Sequence, residues 1–469
     1  MLFNSFVFSG LFLPLCLLLF WGCKTDSARR RVLLAASLIF YGYWVPIYLV
    51  LLLGLVGIAW GCALATEYTE SNWPVWVAAF ALLGALAYFK YAGFLFQIML
   101  DLKLGESGNR RIPQVVLPLG ISFVVFQALG YVIDVHRQDF KAERNFSIVF
   151  LFKAFFPQLI AGPICRANEL MPQLKGTFSW SFSRFCSGLA IFSIGLFLKE
   201  VFADSLAIMV DPLYGGSAIT ARIEAWAAAT GFGGQIYADF WGYSTMAVGL
   251  ARMFNIEIPV NFDRPYLAWS IRDFWRRWHM TLSRWLRDYL YKPLGGSQYG
   301  KLRTFCALMA TMILGGLWHG ANYTFIVWGG IHGLALGAEH LVSRERASRL
   351  ESRKRSLGIY MVRGIGWIYA MVVVSVSWVF FRAPDMSHAL SIIMAMAKGP
   401  SANASHSVKQ IAVLVIALFL IQFPFEWLLR MFRKEEIPPW IGVVTSFVLV
   451  LGAVVLGAPE AVPFIYFQF

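Results

Sequence analysis

Charge is what this sequence lacks most. Only 14% of its residues are Asp, Glu, Lys or Arg, against about 25% in soluble domains. The apolar share is 58%, well above the usual value of about 45–50%, and the mean hydropathy is +0.63. These figures exclude a soluble globular enzyme and a disordered chain. Cysteine is also scarce. Cys16, Cys23, Cys62, Cys165, Cys186 and Cys306 form no C-x-x-C pair and no metal-ligand spacing, which excludes a disulfide-stapled secreted module and gives no metal site. Most lie in apolar runs as small hydrophobes. Cys165, beside Arg166, alone has surroundings that suit a reactive thiol. The first apolar run has no basic residues before it. Lys24 and Arg29–Arg31 follow it instead, the reverse of a signal peptide and the pattern of a retained first helix with its N-terminus outside. There is no internal repeat and no low-complexity tract. A polytopic membrane protein is what is left.

Acid is scarcer than base, with 26 acidic and 40 basic residues and a net charge of +14. The excess is local. Residues 264–304, 343–358 and 24–31 carry net charges of +7, +4 and +3, which together account for all of it. Short basic loops stay cytoplasmic, so membrane topology explains the basicity and nucleic acid is not needed. Apolar stretches mark spans or half-spans near 3–22, 32–45, 46–65, 74–100, 113–134, 146–164, 184–210, 222–253, 305–318, 322–341, 359–382, 410–429 and 440–458. The fold class is all-α: a helical membrane bundle of about 11 to 13 such segments, with in-plane amphipathic helices and a buried central site. It reads as one domain over 1–469. Loop 384–408 reads as outside, Arg430, Arg433 and Lys434 as inside, and the C-terminus as outside.

The stretch 305–318 is short. Its apolar run covers about 21 Å, against a hydrocarbon core of about 30 Å. That places His319 within the membrane, at a turn between two helices, where an ionisable residue points to function. Before it, Ser270 and Asp273 mark a helix start. From 273 to 290 a helical projection gathers Phe274, Trp275, Trp278, Leu282, Trp285, Leu286 and Tyr289 on one arc, with Arg276, Arg277, Ser283, Arg284, Arg287 and Asp288 opposite. Such a helix lies in the membrane interface, and its arginines suit either lipid phosphates or an anionic donor. His279 sits at the edge of the apolar arc, which suits packing. Of the other histidines, His136, His388 and His406 fall in loops and His340 ends a helix. His319 and His332 lie in apolar stretches. On one continuous helix they would be about 20 Å apart on nearly opposite faces, so they do not form a local metal pair.

Trp318-His-Gly-Ala-Asn322, followed by Trp328-Gly-Gly-Ile-His332-Gly, resembles the signature of the membrane-bound O-acyltransferases, in particular the branch that contains the alginate O-acetyltransferase membrane subunit. Supporting blocks are Tyr88-Phe-Lys-Tyr91, Leu117-Pro-Leu-Gly-Ile-Ser-Phe123, Tyr131-Val-Ile-Asp134, Phe156-Pro-Gln-Leu-Ile-Ala-Gly-Pro163, Gln235-Ile-Tyr-Ala-Asp-Phe240, Arg272-Asp-Phe-Trp-Arg-Arg-Trp-His279 and Trp285-Leu-Arg-Asp-Tyr289. The family-like core covers about 1–385, with C-terminal helices in 386–469.

The resemblance implies acyl transfer from cytoplasmic acetyl-CoA, a donor substrate and not a resident cofactor. The acetyl group would pass through a membrane-buried site toward an extracytoplasmic polysaccharide. It further implies a bacterial inner-membrane location, a periplasmic SGNH-type acetyltransferase partner and a polysaccharide biosynthesis complex. His319 matches the family's essential histidine, and His332 matches a second histidine of the signature. Where relatives commonly read Phe-Ser-Gly-Tyr-Ser-Asp-Met-Ala, this chain has Phe240-Trp-Gly-Tyr-Ser-Thr-Met-Ala247. If the missing acid orients a catalytic group, Asp239 is its possible replacement.

The expected catalytic set is His319, as base or nucleophile, with His332 and Asn322. Asn322 fits an oxyanion donor or a helix N-cap equally well. Arg276, Arg277, Arg284, Arg287 and Asp288 form the expected donor-binding group. Asp239, Tyr243 and Trp318 are candidate site-lining residues. A transporter or flippase, a scaffold subunit of a secretion complex, and acylation of a lipid or protein hydroxyl stand as alternatives.

Overall fold

The computed structural model describes residues 1–69, 71–102, 116–160, 162–215, 219–350, 357–460 and 462–467. Every regular element among them is helical. Eight helical stretches are long and apolar enough to cross a membrane, including Tyr48–Thr69, Trp73–Asp101, Phe182–Gly215, Lys301–His319 and Tyr360–Arg382. Val7–Gly22 and Ile121–His136 are shorter apolar helices. The all-helical membrane bundle is therefore as the sequence indicates. The basic stretch 24–31 is not a loop. Thr25 caps the Asp26–Gly42 helix, so Arg29–Arg31 lie in its opening turns. The basic stretch 343–358 is helical as far as Leu350, and its residues 351–356 lie outside the described residues.

The chain forms two compact units. The first comprises Met1–Ser193, Tyr243–Pro259 and Phe432–Phe447. Its core is aromatic: Phe3, Phe8, Phe12, Phe40 and Phe156 meet in tilted and edge-on pairs, geometries that suit the ring quadrupole. Arg252 is buried there, and its guanidinium donates to Ser187 Oγ at 2.7 Å, to Glu435 and to Glu257. A buried cation held this fully is a structural knot, because every donor removed from solvent has an acceptor.

The second unit comprises Ile194–Gly242, Val260–Met431 and Val448–Phe469, and it contains the His319 segment. The Lys301–His319 helix turns at Gly320 and returns as the Tyr323–Leu350 helix. Missing side chains let the two press together. A Cβ on Gly316 would stand 2.2 Å from the Phe325 carbonyl oxygen, and one on Gly329 would stand 2.3 Å from that of Met312. Further along, Gly333 faces Met309 and Gly337 faces Phe305. The partner number falls as the glycine number rises, which defines an antiparallel hairpin in backbone contact, the packing that small residues allow inside a membrane.

The hairpin alters one expectation. The first helix begins at Lys301, ahead of the apolar run, and has 19 residues, a length of about 28 Å. That nearly equals the hydrocarbon thickness, so helix length does not place His319 at mid-membrane. Its burial within protein sets it apart instead: His319 is 4% exposed.

Replacing Gly329 with valine should force the hairpin apart. The expected loss is at least about 1–3 kcal/mol, the range for overpacking. It should appear as a lowered midpoint in thermal unfolding of the detergent-purified protein, whereas Gly330→Ala, where a Cβ meets nothing within 4 Å, should leave the midpoint the same or raise it, since alanine is the better helix former.

Candidate active site

The basic segment before the hairpin is not one continuous helix. Helix Ile271–Arg277 ends at Trp278, and a new helix, Met280–Leu286, starts after His279. His279 takes φ +40°, a left-handed conformation that a side chain adopts at a cost. The apolar arc drawn from the sequence is correct in membership: Phe274, Trp275, Trp278, Leu282, Trp285 and Leu286 are all buried. What covers it includes protein, for Trp278 packs on Phe262 and Trp378. The first helix is fixed at its N-terminus from two sides. Ser270 Oγ accepts the Asp273 N–H at 3.0 Å, and the Glu339 carboxylate accepts those of Ile271 and Arg272 at 2.6 and 3.0 Å. A carboxylate at this position satisfies orphan donors and complements the helix dipole.

This arrangement sorts the arginines. Arg272, Arg276, Arg284 and Arg287 line a cavity of about 700 Å³, together with Ser283, Tyr291, Ser297, Thr311 and His340. Among the described residues, no acidic side chain lines it. Arg277 does not line it. Its Nε pairs with Asp273 at 3.0 Å, and its guanidinium reaches the Asp263 carbonyl. Asp288 does not line it either, but holds Arg287 through both carboxylate oxygens at 3.0 and 3.1 Å and pairs with Lys292. Arg272 and His340 also belong to the cavity: Arg272 precedes the helical projection that starts at 273, and His340 comes from the returning helix, which no local periodicity links to the basic segment.

Trp275 also lines the cavity and leads inward. Its ring meets Trp328 at 5.8 Å, and Trp328 meets His319 at 5.1 Å. His319 lies among Trp318, Trp328, Phe381 and Tyr466, with ring centroids 4.9 to 5.6 Å away. His279 is fully buried on the other side of Trp318, 6.0 Å from that indole and 4.6 Å from Phe240. Burial pushes its pKa down to about 3, so its ring is neutral at physiological pH. The sequence offered no signal for this beyond the Trp-His junction, because a broken helix does not appear in a periodic projection.

His332 is fully buried and makes two hydrogen bonds. Trp275 Nε1 is 3.3 Å from its Nδ1, and its Nε2 is 3.0 Å from Ser377 Oγ. An indole N–H only donates, so Nδ1 accepts and the ring proton is on Nε2. Ser377 Oγ in turn donates to the Val374 carbonyl at 2.8 Å. His332 therefore ties the basic helix to the Leu357–Arg382 helix. Asn322 is the N-cap of the returning helix: Oδ1 accepts the Thr324 N–H at 3.1 Å, and Nδ2 donates to the Pro384 carbonyl at 2.9 Å.

Asp239 accepts from Lys199 at 2.9 Å. The same ammonium pairs with Asp204 at 2.7 Å and donates to the Val462 carbonyl at 2.9 Å. The other oxygen of Asp239 accepts the Ile465 N–H at 2.7 Å. This buried cluster pins residues 462–466, and Tyr466 thereby reaches both Phe240 and His319. Lys199 and Asp204, charges within a long apolar helix, were a legible signal that the sequence reading passed over. Tyr243 belongs to the first unit, where its ring stacks on Phe3 at 4.5 Å.

A model of the MBOAT, or membrane-bound O-acyltransferase, family matches residues 145–381. The whole chain is 36% identical to a probable alginate O-acetylase AlgI of Pseudomonas putida, over the full length of that protein. The chain belongs to the membrane-bound O-acyltransferase family. A peptidoglycan O-acetyltransferase of Helicobacter pylori is 34% identical over 84% of this chain and 80% of its own length. A teichoic acid D-alanyltransferase of Streptococcus thermophilus is 26% identical over 51% of this chain and 60% of its own. The chain is thus a multi-pass membrane O-acyltransferase, and the transporter and scaffold alternatives fall.

Two outcomes follow for this acyltransferase. Lys199→Met should destabilise the protein by about 3–5 kcal/mol, because it leaves two buried carboxylates without their cation, and adding Asp239→Asn should recover part of the loss in thermal unfolding. For His279 the folded pKa lies below the unfolded value, so its contribution to stability is complete above pH 6.5. It is lost as pH falls below that value, at about 1.4 kcal/mol per unit, down toward pH 3. His279→Asn should accordingly flatten the fall of the unfolding midpoint between pH 6.5 and 4.5.

Proposed function

We propose that the chain is an acetyl-CoA-dependent O-acetyltransferase of the bacterial inner membrane that delivers acetyl groups to an extracytoplasmic polysaccharide. Its work would be shared with a periplasmic SGNH-type partner and a polysaccharide biosynthesis complex. The observation that carries this reading is the continuity from the arginine-lined cavity, through Trp275 and Trp328, to His319. Arg272, Arg276, Arg284 and Arg287, the last held in place by Asp288, suit the phosphates of a coenzyme A thioester, which guanidinium forks bind in pairs. Met312 marks the inner wall of the cavity and lies seven residues before His319 on the same helix, about 10 Å along its axis. An extended thioester arm can cover that distance. The acceptor class is supported by the relatives, named for alginate, peptidoglycan and teichoic acid. It displaces a lipid or protein hydroxyl as the first choice.

In the reaction, an acceptor hydroxyl loses its proton to the His319 imidazole while its oxygen attacks the thioester carbonyl. The carbon–sulfur bond then breaks, and the thiolate leaves and takes up a proton. Alternatively His319 attacks first and carries the acetyl group briefly. The aromatic enclosure keeps the ring away from bulk water. His332, with both nitrogens engaged, acts as a positioning residue for Trp275, and Asn322 as the cap that shapes the turn beside His319.

The test uses acetyl-CoA labelled in the acetyl group, with purified protein and its partner, following release of CoA and transfer of label. His319→Ala should abolish both while the protein stays folded. Arg284→Ala and Arg287→Ala should raise the KM for acetyl-CoA about tenfold or more, the effect of losing one charge-assisted bond, with a smaller change in kcat. Full transfer by folded His319→Ala would overturn the assignment.

A further inference from the structure

The outer end of the arginine cavity carries side chains that phosphate binding does not use. A Cβ on Gly315 would stand 3.2 Å from Leu286, and one on Gly295 would stand 3.0 Å from Arg303 Nε. The chain after Leu286 therefore runs antiparallel to the Lys301–His319 helix and away from His319. Along this stretch the residues that line the cavity come in the order Leu286, Arg287, Tyr291 and Ser297. The last two are thus its members farthest from His319. Arg303 lies sixteen residues before His319, about 24 Å along the helix axis.

This end is shaped by the backbone. Gly295 and Gly296 take φ of +108° and +52°, values that favour glycine. The Gly296 N–H donates to the Tyr291 carbonyl at 3.0 Å, so the chain folds back on Tyr291 and brings Ser297 to the same cavity. Asp288 braces the turn, pairing with Arg287 at 3.0 Å and with Lys292 at 2.8 Å. Neighbouring rings are engaged: Trp285 packs on Tyr289 at 5.1 Å, and Trp275 on His332 at 5.3 Å. The half-buried Tyr291 ring pairs with no other ring among the described residues. Burial raises the pKa of its phenol, and the charge of Arg272, also in the lining, opposes the rise. A free aromatic face therefore stands near a guanidinium at the mouth of the cavity.

We infer that Tyr291 is a stacking platform for the adenine base of the donor, with Ser297 and Arg272 beside it, so that the cavity selects a free coenzyme A thioester over the thioester arm alone. This inference rests on the coenzyme A reading of the cavity. The order of its lining matches the order of groups in that molecule. Trp275, Leu286 and Met312 form an apolar inner part for the arm. Arg284 and Arg287 come next, where the phosphates would lie, and the free ring is outermost. An adenine presents a π-face to a phenol ring and to a guanidinium. A serine hydroxyl both donates and accepts, which suits the edge of a base. A lipid phosphate would use the arginines and leave the Tyr291 ring idle. The same arm carried on a protein has no base to stack.

The experiment measures binding of radiolabelled CoA to the full-length protein in nanodiscs, with adenosine bisphosphate, phosphopantetheine and pyrophosphate as competitors. Wild type, Tyr291→Ala and Tyr291→Phe are compared. Tyr291→Ala should weaken CoA and adenosine bisphosphate about tenfold, the effect of losing one stacked base. It should leave phosphopantetheine and pyrophosphate unchanged. Tyr291→Phe keeps the ring and should bind CoA as wild type does. In turnover, Tyr291→Ala should raise the KM for acetyl-CoA by the same factor at unchanged kcat, and leave the KM for acetyl-phosphopantetheine where it was. Three results would each overturn the inference: unchanged CoA affinity in Tyr291→Ala, an equal loss for CoA and phosphopantetheine, or adenosine bisphosphate competing no better than pyrophosphate in wild type. Each of these leaves CoA binding by wild type in place, and with it the acetyl-CoA reading. A wild type that binds no CoA would instead overturn that reading and the platform together.

Discussion

The backbone contact between the two helices that flank His319 is the constraint on which the candidate site depends. Gly316 and Gly329 allow carbonyl oxygens of the partner helix where side chains would otherwise stand. That closeness fixes the turn at Gly320 and sets Trp328 edge-on to the His319 ring. Within a membrane no hydrophobic force draws two helices together, so contact area and small residues must do it. A looser hairpin would keep every residue of the signature and lose the geometry that joins them.

From that hairpin the remaining parts follow by attachment. Glu339, on the returning helix, holds the N-terminus of the basic helix. His332, two turns earlier, holds Trp275 of the same helix. The arginine cavity is thus oriented by the elements that orient His319, and the two share one frame. His332 shows how a histidine in an apolar stretch can serve to hold a neighbouring side chain in place, here Trp275. With the indole donating to Nδ1, its proton is committed to Ser377, whose hydroxyl donates onward to the Val374 carbonyl.

Much of this was legible in the sequence where the governing physics is local. Low charge and long apolar runs gave the class. The Trp318–Asn322 and Trp328–Gly333 blocks gave the family, and the helical projection gave the buried members of the basic segment correctly. The misses share a cause: they depend on where a helix breaks or on residues far apart in the chain. The break at Trp278–His279 hid the burial of His279. The early start at Lys301 undid a depth argument built on apolar length alone. The separation of Arg277 from the arginines that line the cavity rests on Asp263 and Asp273, which a projection cannot place in space. Tyr466 reaches His319 only through a charge cluster whose members lie more than two hundred residues before it.

That last arrangement bears on how the molecule comes into being. Tyr466 leaves the ribosome after every other wall of the His319 pocket has been made and after the Lys199–Asp239 pair has entered the bundle. The pocket is therefore finished last, when the tail folds back and seats its backbone N–H on Asp239. Until that step, a partly inserted chain carries the histidine and the arginines but not the complete enclosure.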